Sequence, residues 1–260
     1  GECIKQLVEY GADVNKNDKC GMTALIHASN EGKDGCIQQL MKCCADVNMN
    51  DNNGMTGLMH AAKEGYGKCI KQLIECGDDM NMIDNNGMTA LMYAAREGKD
   101  DCIKHLLECG ADVNINDNNG MNVLMYDAKF GTGNFIRQLV DLGSDVNMND
   151  KNGMTALIHG IKECKSECIK QLLECGANVN INGKNEMTAL MYAAKKGKGE
   201  CIQQLVECGA DVNMNDKNGM TALMYAAKKG KGECIQQLVE CGADVNMTDK
   251  NGMTALMYAA

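Results

Sequence analysis

Proline and tryptophan are absent from this sequence of 260 residues, and aromatic residues make up only 3% of it. Without proline the chain holds no proline-rich linker, and with so few rings its core must consist of aliphatic residues, alanine, methionine and cysteine. No apolar run reaches the roughly 20 residues that a membrane-spanning helix needs. The net charge of −9 argues against the phosphate backbone of a nucleic acid as the main partner.

The sequence does contain one phrase that recurs eight times at a fixed spacing of 33 residues. The first copy, Gly-Met-Thr-Ala-Leu, occupies residues 21–25, and the last occupies residues 252–256. No insertion or deletion interrupts the period. A strict period of this length predicts a stack of similar supersecondary units, each of which contacts only its neighbours. Such an array disfavours an enzyme and a small-molecule substrate.

Residues 84–116 illustrate one unit. The Asp-Asn-Asn-Gly segment at 84–87 predicts a turn, because Asp and Asn bond their own backbone and Gly permits positive φ. Thr89 is placed to cap a short first helix. A second helix is predicted over 100–108, and Gly110 ends it. The apolar residues of each helix lie on one face, so only stacking on neighbouring units can bury them.

This unit resembles the ankyrin repeat, whose pattern is Asp-x-x-Gly-x-Thr-Pro-Leu-His-x-Ala-Ala, a Gly, a leucine pair and Gly-Ala-Asp-Val-Asn. The resemblance covers the whole chain and implies an all-α solenoid of helix–turn–helix units with projecting turn fingers. In its frequent Thr-Ala-Leu-Met segments and its many cysteines, the sequence is similar to large ankyrin proteins of protists. The family proline is Ala or Gly in most units, and the family histidine is Ile or Met, so the role of that histidine is not carried over.

We predict a single array over residues 1–260, and we expect it to be a fragment of a longer chain. Partial units are predicted at 1–17 and 249–260. The seven full units are predicted at 18–50, 51–83, 84–116, 117–149, 150–182, 183–215 and 216–248.

The sixteen cysteines are the first candidates for special chemistry. Six pairs lie seven residues apart on the second helix, from Cys36 and Cys43 to Cys234 and Cys241. Seven helical residues span about 10.5 Å, whereas a disulfide needs Cα atoms within about 7 Å. No Cys-x-x-Cys pair starts a zinc site. We therefore predict no disulfide, no metal, no other cofactor, and a reducing, cytoplasmic location.

Three other features could carry chemistry, and each also has a structural interpretation. His27, His60 and His159 share a column with five tyrosines, and we predict that they pack against the paired helix rather than bind metal. No phosphate loop or activated serine is present. Asp127 replaces an alanine in a packed helix. We interpret it as a sign of a locally loosened unit, and the alternative is a catalytic acid. Together with Cys164 and Glu186, Asp127 predicts the lowest stability within 117–190.

The resemblance implies that partners bind on a concave face made of turn tips and the exposed side of the first helix. The methionine after each turn glycine predicts either an exposed apolar strip or packing between neighbouring fingers. Asparagines border these methionines, and basic residues line the groove beside them. The lysine-rich part favours a solvated rim over a nucleic-acid site. The predicted binding residues are Met55, Met88, Met121, Met154, Met187, Met220, Asn86, Asn119, Asn152, Lys63, Arg96, Lys129, Lys162, Lys195, Lys196, Lys228 and Lys229.

The predicted function is a non-catalytic scaffold for protein–protein interaction, and two alternatives stay open. The chain is alternatively the targeting or regulatory arm of a larger enzyme such as a protein kinase. It is otherwise an elastic structural spacer without a specific ligand. If the methionine strip is exposed, the partner is an apolar segment with acidic flanks.

Overall fold

The computed structural model describes residues 2–183 and 185–260 and forms two compact units, Gly1–Tyr126 and Asp127–Ala260. Within the described residues the regular elements are helices, which confirms the all-α prediction. In unit 1 the helices are α1 (Glu2–Glu9), α2 (Ala24–Asn30), α3 (Asp34–Lys42), α4 (Gly57–Glu64), α5 (Gly67–Glu75), α6 (Ala90–Arg96) and α7 (Asp100–Glu108). The next helix, α8 (Val123–Phe130), begins in unit 1 and ends in unit 2. Unit 2 continues with α9 (Ile136–Asp141), α10 (Ala156–Glu163), α11 (Ser166–Glu174), α12 (Ala189–Lys196), α13 (Gly199–Glu207), α14 (Ala222–Lys228), α15 (Gly232–Glu240) and α16 (Ala255–Ala259).

The ends of the helices follow from local sequence. Thr89 caps α6, because its side chain accepts a hydrogen bond from the backbone N–H of Met92 at 3.2 Å. The predicted second helix over 100–108 coincides with α7, and Gly110 follows it with φ of 88°. In α8 the cap is Asn122, whose Oδ1 accepts from the N–H of Met125. The prediction that Thr89 caps the N-terminus of a first helix is therefore confirmed, and Asn122 has the same capping role in α8.

Packing inside each unit joins like helices of successive repeats. In unit 1, α4 packs between α2 and α6, and in unit 2, α14 packs between α12 and α16. Ala61 and Ala62 are fully buried and let neighbouring first helices approach closely. Ile70 and Leu73 of α5 are also fully buried, and burying such a side chain contributes about 1.5–3 kcal/mol. Stacking thus buries the apolar face that no single repeat can cover.

The turns between repeats project as fingers that are bonded to one another. The backbone N–H of Asn85 donates to the carbonyl of Asn53 at 3.0 Å, and that of Asn118 donates to the carbonyl of Asn86 at 2.8 Å. Gly87, at the end of one finger, has φ of 78°, a conformation that glycine adopts without strain. Isolated antiparallel bridges join Asn17 to Thr23 and Asn50 to Thr56 at the bases of two fingers.

The stretch predicted to be least stable departs from the other repeats. Asp127 is fully buried, as predicted, and its Oδ1 accepts from the N–H of Gly133 at 3.4 Å. A Cβ atom at Gly131 would lie 1.9 Å from the same oxygen, so the loop after α8 needs glycine there. Cys164 and Glu186 both have positive φ, near 60°. These features agree with low local stability, which itself stays a prediction, as does the single array over 1–260.

Candidate protein-binding surface

The methionines that follow the turns are mostly buried, so the exposed apolar strip is a wrong prediction, and packing of these side chains against the neighbouring finger stays a prediction. The cause is the finger aspartate: Asp84 Oδ1 accepts from the N–H of Met88 at 2.8 Å and fixes the backbone of that residue. The side chain then lies under a basic residue of the first helix. Arg96 Nη1 lies 3.5 Å from Met88 Sδ, and Lys162 Nζ lies 3.4 Å from Met154 Sδ. Met55, Met88, Met121, Met187 and Met220 are buried, and Met154 is half-buried.

A hydrogen bond across seven of the fingers was missed by the sequence analysis. Tyr93 Oη donates to Asp84 Oδ2 at 2.7 Å, and His159 Nε2 lies 3.1 Å from Asp150 Oδ2. The histidines and tyrosines of this column, apart from Tyr192, therefore bond to the finger aspartate nine residues earlier, and their packing against the paired helix stays a prediction. The fixed separation of nine was the available signal. The other pairs are His27–Asp18, His60–Asp51, Tyr126–Asp117, Tyr225–Asp216 and Tyr258–Asp249.

Burial shifts the titration of these aromatic groups. Desolvation, and then the hydrogen bond to Asp84, raise the pKa of Tyr93 far above its usual range. Desolvation also lowers the pKa of His159, although the neighbouring Asp150 acts in the opposite direction. The tyrosine hydroxyls are therefore protonated donors near neutral pH, and they hold the fingers against the first helices.

Lysines of unit 2 lie over the aromatic rings of the following repeats. Lys162 Nζ is 5.9 Å from the ring centre of Tyr192, Lys195 Nζ is 5.4 Å from that of Tyr225, and Lys228 Nζ is 4.9 Å from that of Tyr258. These distances are typical of cation–π contacts. We call these three lysines and three tyrosines the Lys–Tyr row.

The remaining predicted basic residues are arranged differently. Arg96 lies over Tyr93 of its own repeat, at 4.7 Å from the ring centre, and Lys129 lies 4.7 Å from the ring centre of Phe130. Lys196 and Lys229 are exposed, and Lys63 is half-buried. The basic residues of the first helices are thus available at the surface, whereas the methionines below them are not.

The predicted asparagines are exposed at the finger tips. Asn86 Nδ2 donates to Asp84 Oδ2 at 3.2 Å, and Asn119 Nδ2 donates to Asp117 Oδ2 at 3.3 Å. Asn152 is also exposed. A neighbouring tip position that sequence analysis missed holds Lys19, Asn52, Asn85 and Asn118 in unit 1 and Lys151, Lys217 and Lys250 in unit 2. Comparing that column between repeats would have found it.

Burial limits the chemistry of five cysteines, which are Cys69, Cys102, Cys168, Cys201 and Cys234. The cysteines of the described chain are free thiols. Desolvation raises the pKa of both Cys102 and Cys168 to about 11, so these thiols are protonated and weakly nucleophilic near neutral pH. Residues 2–183 and 185–260 bring together no group of three His, Cys, Asp or Glu that could hold a metal ion. In the same residues, no helix has both the length and the apolar character needed to cross a bilayer.

Short paired helices that stack every 33 residues, with bonded fingers at one end, define a helical repeat protein built from local contacts. The family model described as Ankyrin repeats (3 copies) matches residues 1–83, 26–117, 98–183, 124–216 and 190–260. The chain therefore belongs to the ankyrin-repeat family, whose members are generally protein–protein interaction modules. No curated protein matches the chain.

Proposed function

We propose that this chain is a non-catalytic, cytoplasmic scaffold that binds an acidic protein segment along the fingers and first helices of unit 2. The observation that carries the proposal is the Lys–Tyr row. Its ammonium groups are held over aromatic rings at the surface. Side chains that are already ordered lose less conformational freedom when a partner binds.

The surroundings of the row support a partner of negative charge. Lys151, Lys217 and Lys250 add exposed ammonium groups at the finger tips beside it. Positive side chains arranged along one edge steer an acidic partner and reject a basic one. Because the methionines are buried, we no longer assign the partner an apolar segment. The net charge of −9 for the whole chain makes nucleic acid a poorer fit than an acidic protein.

The cytoplasmic part of the proposal rests on the thiols. Sixteen cysteines in 260 residues, several of them exposed, suit a reducing compartment, because an oxidising one would pair or modify them. Cys102 and Cys168 occupy the same column of the repeat, and both are buried as small core residues.

The test removes the positive charges of the Lys–Tyr row and compares the resulting loss of partner binding with the loss in a matched control variant. One protein carries Lys162→Gln, Lys195→Gln and Lys228→Gln. The control carries the same change at three exposed lysines of second helices. The control positions are Lys71, Lys104 and Lys170.

Both variants and the wild type are used to capture proteins from cell lysate, and bound proteins are quantified by mass spectrometry. We expect the row variant to lose its acidic partners by about tenfold, because three partly exposed charge pairs together contribute on the order of 1–2 kcal/mol. The control is expected to retain them with an unchanged melting temperature. Equal capture by the row variant and the wild type would contradict the proposal, and capture of nothing by any protein would favour the spacer.

A further inference from the structure

Seven of the eight fingers bind an aspartate side chain with three donors, and the repeat that starts at Asp216 shows the arrangement. Asp216 Oδ1 accepts from the backbone N–H groups of Asn218 at 2.8 Å and Met220 at 2.9 Å. Asp216 Oδ2 accepts from the hydroxyl of Tyr225 at 2.7 Å. Two amides and one aromatic hydroxyl therefore form a receptor for one carboxylate, and this lets the carboxylate be buried without loss of hydrogen bonds.

The remaining finger belongs to the repeat 183–215 and has Gly183 at the position of that aspartate. Its backbone nevertheless keeps the same turn. The N–H of Gly183 donates to the carbonyl of Met187 at 3.2 Å, and the N–H of Glu186 donates to the carbonyl of Gly183 at 2.7 Å. Thr188 caps α12 as the equivalent threonines cap the other first helices. The scaffold that positions the three donors is therefore retained although the acceptor is missing.

The three equivalent donors in this finger are the amides of Asn185 and Met187 and the hydroxyl of Tyr192. Among residues 2–183 and 185–260, no acceptor is hydrogen-bonded to any of them, and the exposed side chain of Glu186 does not serve as one. Tyr192 is half-buried, whereas Tyr225 in the complete arrangement is buried. Tyr192 is therefore more exposed than its counterpart Tyr225, and Asn185 is exposed as well.

The charges around these donors do not prevent an anion from binding. Lys162 Nζ, which lies over the ring of Tyr192, is the nearest cation of the Lys–Tyr row. Asp150 is the acidic group that affects Tyr192, but its carboxylate is already bonded to His159 and to the amide of Met154. The positive charge of Lys162 therefore offsets the negative charge of Asp150 at this position.

We propose that the amides of Asn185 and Met187 and the hydroxyl of Tyr192 form a binding site for a carboxylate from an Asp or Glu side chain of a partner. This carboxylate site rests on the proposed function for its biological ligand, because it lies beside the Lys–Tyr row and gives an acidic segment one anchoring position. Its chemistry is independent of the partner, since two amides and a tyrosine hydroxyl bind a carboxylate in four other fingers of this chain. In three further fingers a histidine ring nitrogen takes the place of the hydroxyl. A partner side chain there makes charge-assisted hydrogen bonds.

The probe is sodium acetate, which is added to isotopically labelled protein at constant ionic strength with sodium chloride. Amide NMR signals of Asn185 and Met187 are compared with those of Asn218 and Met220, which already bind Asp216. We expect saturable downfield shifts of the first pair and none of the second. Equal shifts of both pairs, or no saturable shift of the first pair, overturn the proposal.

Three substitutions make the result specific. Tyr192→Phe should weaken acetate binding by about tenfold through loss of one charge-assisted bond, whereas Tyr225→Phe should leave it unchanged. Gly183→Asp should remove the acetate response, because its own carboxylate takes the donors. Its Cβ would lie 3.2 Å from the carbonyl oxygen of Gly153. The amide NMR spectrum of this variant is therefore compared with that of the wild type to establish that the variant is folded.

The source of the carboxylate is tested with N-acetylaspartate N-methylamide and N-acetylglycylglycine, with N-acetylasparagine N-methylamide as the neutral control. Tighter binding of the aspartate probe supports a side-chain ligand, and tighter binding of the chain-terminal probe overturns that assignment. Equal binding of the neutral control overturns the carboxylate site. A positive acetate result with no loss of partner in the row variant would contradict the proposed function while leaving the site intact.

Discussion

Unit 1 and unit 2 share the repeat but differ in the charge of their exposed columns. Residues 1–126 contain 19 acidic and 11 basic side chains, a net charge of −8, whereas residues 127–260 contain 16 and 15, a net charge of −1. The buried columns of alanine, leucine and isoleucine are nearly the same in both. The comparison shows that stacking constrains the interior, while the charge of a few surface columns varies, and the proposed acidic partner of unit 2 depends on that variation.

The finger tips show this difference at one position. In unit 1, Asn85 Nδ2 donates to the carbonyl of Asn52 at 3.1 Å, and Asn118 Nδ2 donates to that of Asn85 at 2.9 Å. These side chains therefore satisfy the backbone of the preceding finger. In unit 2 the same column presents exposed Lys217 and Lys250. Apart from exposed Lys19, unit 1 thus uses the column to join fingers, and unit 2 uses it to present positive charge.

The largest expected effect concerns a buried acid that occurs in unit 1. Asp78 is 4% exposed in a column of alanine or serine, and within the described chain neither carboxylate oxygen has a hydrogen-bond partner. Burial, and then the charges of Asp79 and Asp46, raise the pKa of Asp78 to about 7. The folded state therefore holds a proton that the unfolded state releases near pH 3.8. Its contribution to stability is full below that pH and is lost as the pH rises to about 7.

We expect Asp78→Ala to raise the free energy of unfolding at pH 8 by about 2–4 kcal/mol and to flatten its dependence between pH 4 and 7. Urea unfolding at several pH values measures both. Ala210→Asp should transfer the same pH dependence to unit 2, as seen by hydrogen exchange in that unit. A wild-type stability that does not fall between pH 4 and 7 would show that Asp78 finds a partner in solution.

The buried methionines give the next largest effect, and it should be the same in both units. Met88 in unit 1 and Met187 in unit 2 are 3% and 5% exposed. Replacing either with Ser should lower the free energy of unfolding by about 2–4 kcal/mol, because a core cavity and a buried hydroxyl are created. Half-buried Met22 is the control and should lose less than half as much. An unchanged melting temperature for Met187→Ser would restore the exposed-strip hypothesis.

The hydrogen bonds between a finger aspartate and a tyrosine should contribute slightly less to stability. Asp84→Ala in unit 1 and Asp216→Ala in unit 2 each leave two amides and a tyrosine hydroxyl without their acceptor. We expect each to lose about 1.5–3 kcal/mol of stability, measured by urea unfolding. Tyr93→Phe removes one of the three bonds and should lose about 1 kcal/mol. A full loss in Tyr93→Phe would mean that the amides contribute nothing.

The fold could be predicted from the sequence because its signals are local and repeated. The period, the capping Thr89 and the apolar face of residues 100–108 each point to the same helices, and stacking repeats them. The exposure of the methionines after the turns was harder to predict, because it depends on how the hydrogen bond to the finger aspartate orients the backbone. Position in a turn does not indicate whether a side chain points inward or outward.

The candidate site was only partly predictable for the same reason. The basic residues of the first helices follow from helical spacing, but their contacts with rings of the next repeat depend on stacking geometry. The bond between Asp84 and Tyr93 joins residues nine apart through their side-chain tips, and its only signal in the sequence is the fixed separation of the two columns. Asp78 was overlooked although it breaks an alanine column, the same signal that identified Asp127.

The smallest expected effect concerns residues other than glycine that adopt positive φ. Unit 1 contains Cys44 with φ of 62°, and unit 2 contains Cys164 and Glu186 with φ of 61° and 59°. In most repeats these columns hold glycine, which adopts this conformation without steric cost. Replacing each with Gly should raise the free energy of unfolding by about 0.5–1 kcal/mol, since the strain of a Cβ atom exceeds the entropy that glycine loses.

The double variant Cys164→Gly and Glu186→Gly sharpens the comparison between the units. Hydrogen exchange should slow over residues 150–190 of unit 2 and stay unchanged over residues 51–83 of unit 1, because the stability of a repeat array spreads only to near neighbours. Cys44→Gly is the reciprocal variant, with slower exchange expected near α3 alone. If the double variant slows exchange equally in both units, the low stability predicted for 117–190 has a cause other than these two backbone conformations, and the buried Asp127 becomes the residue to replace.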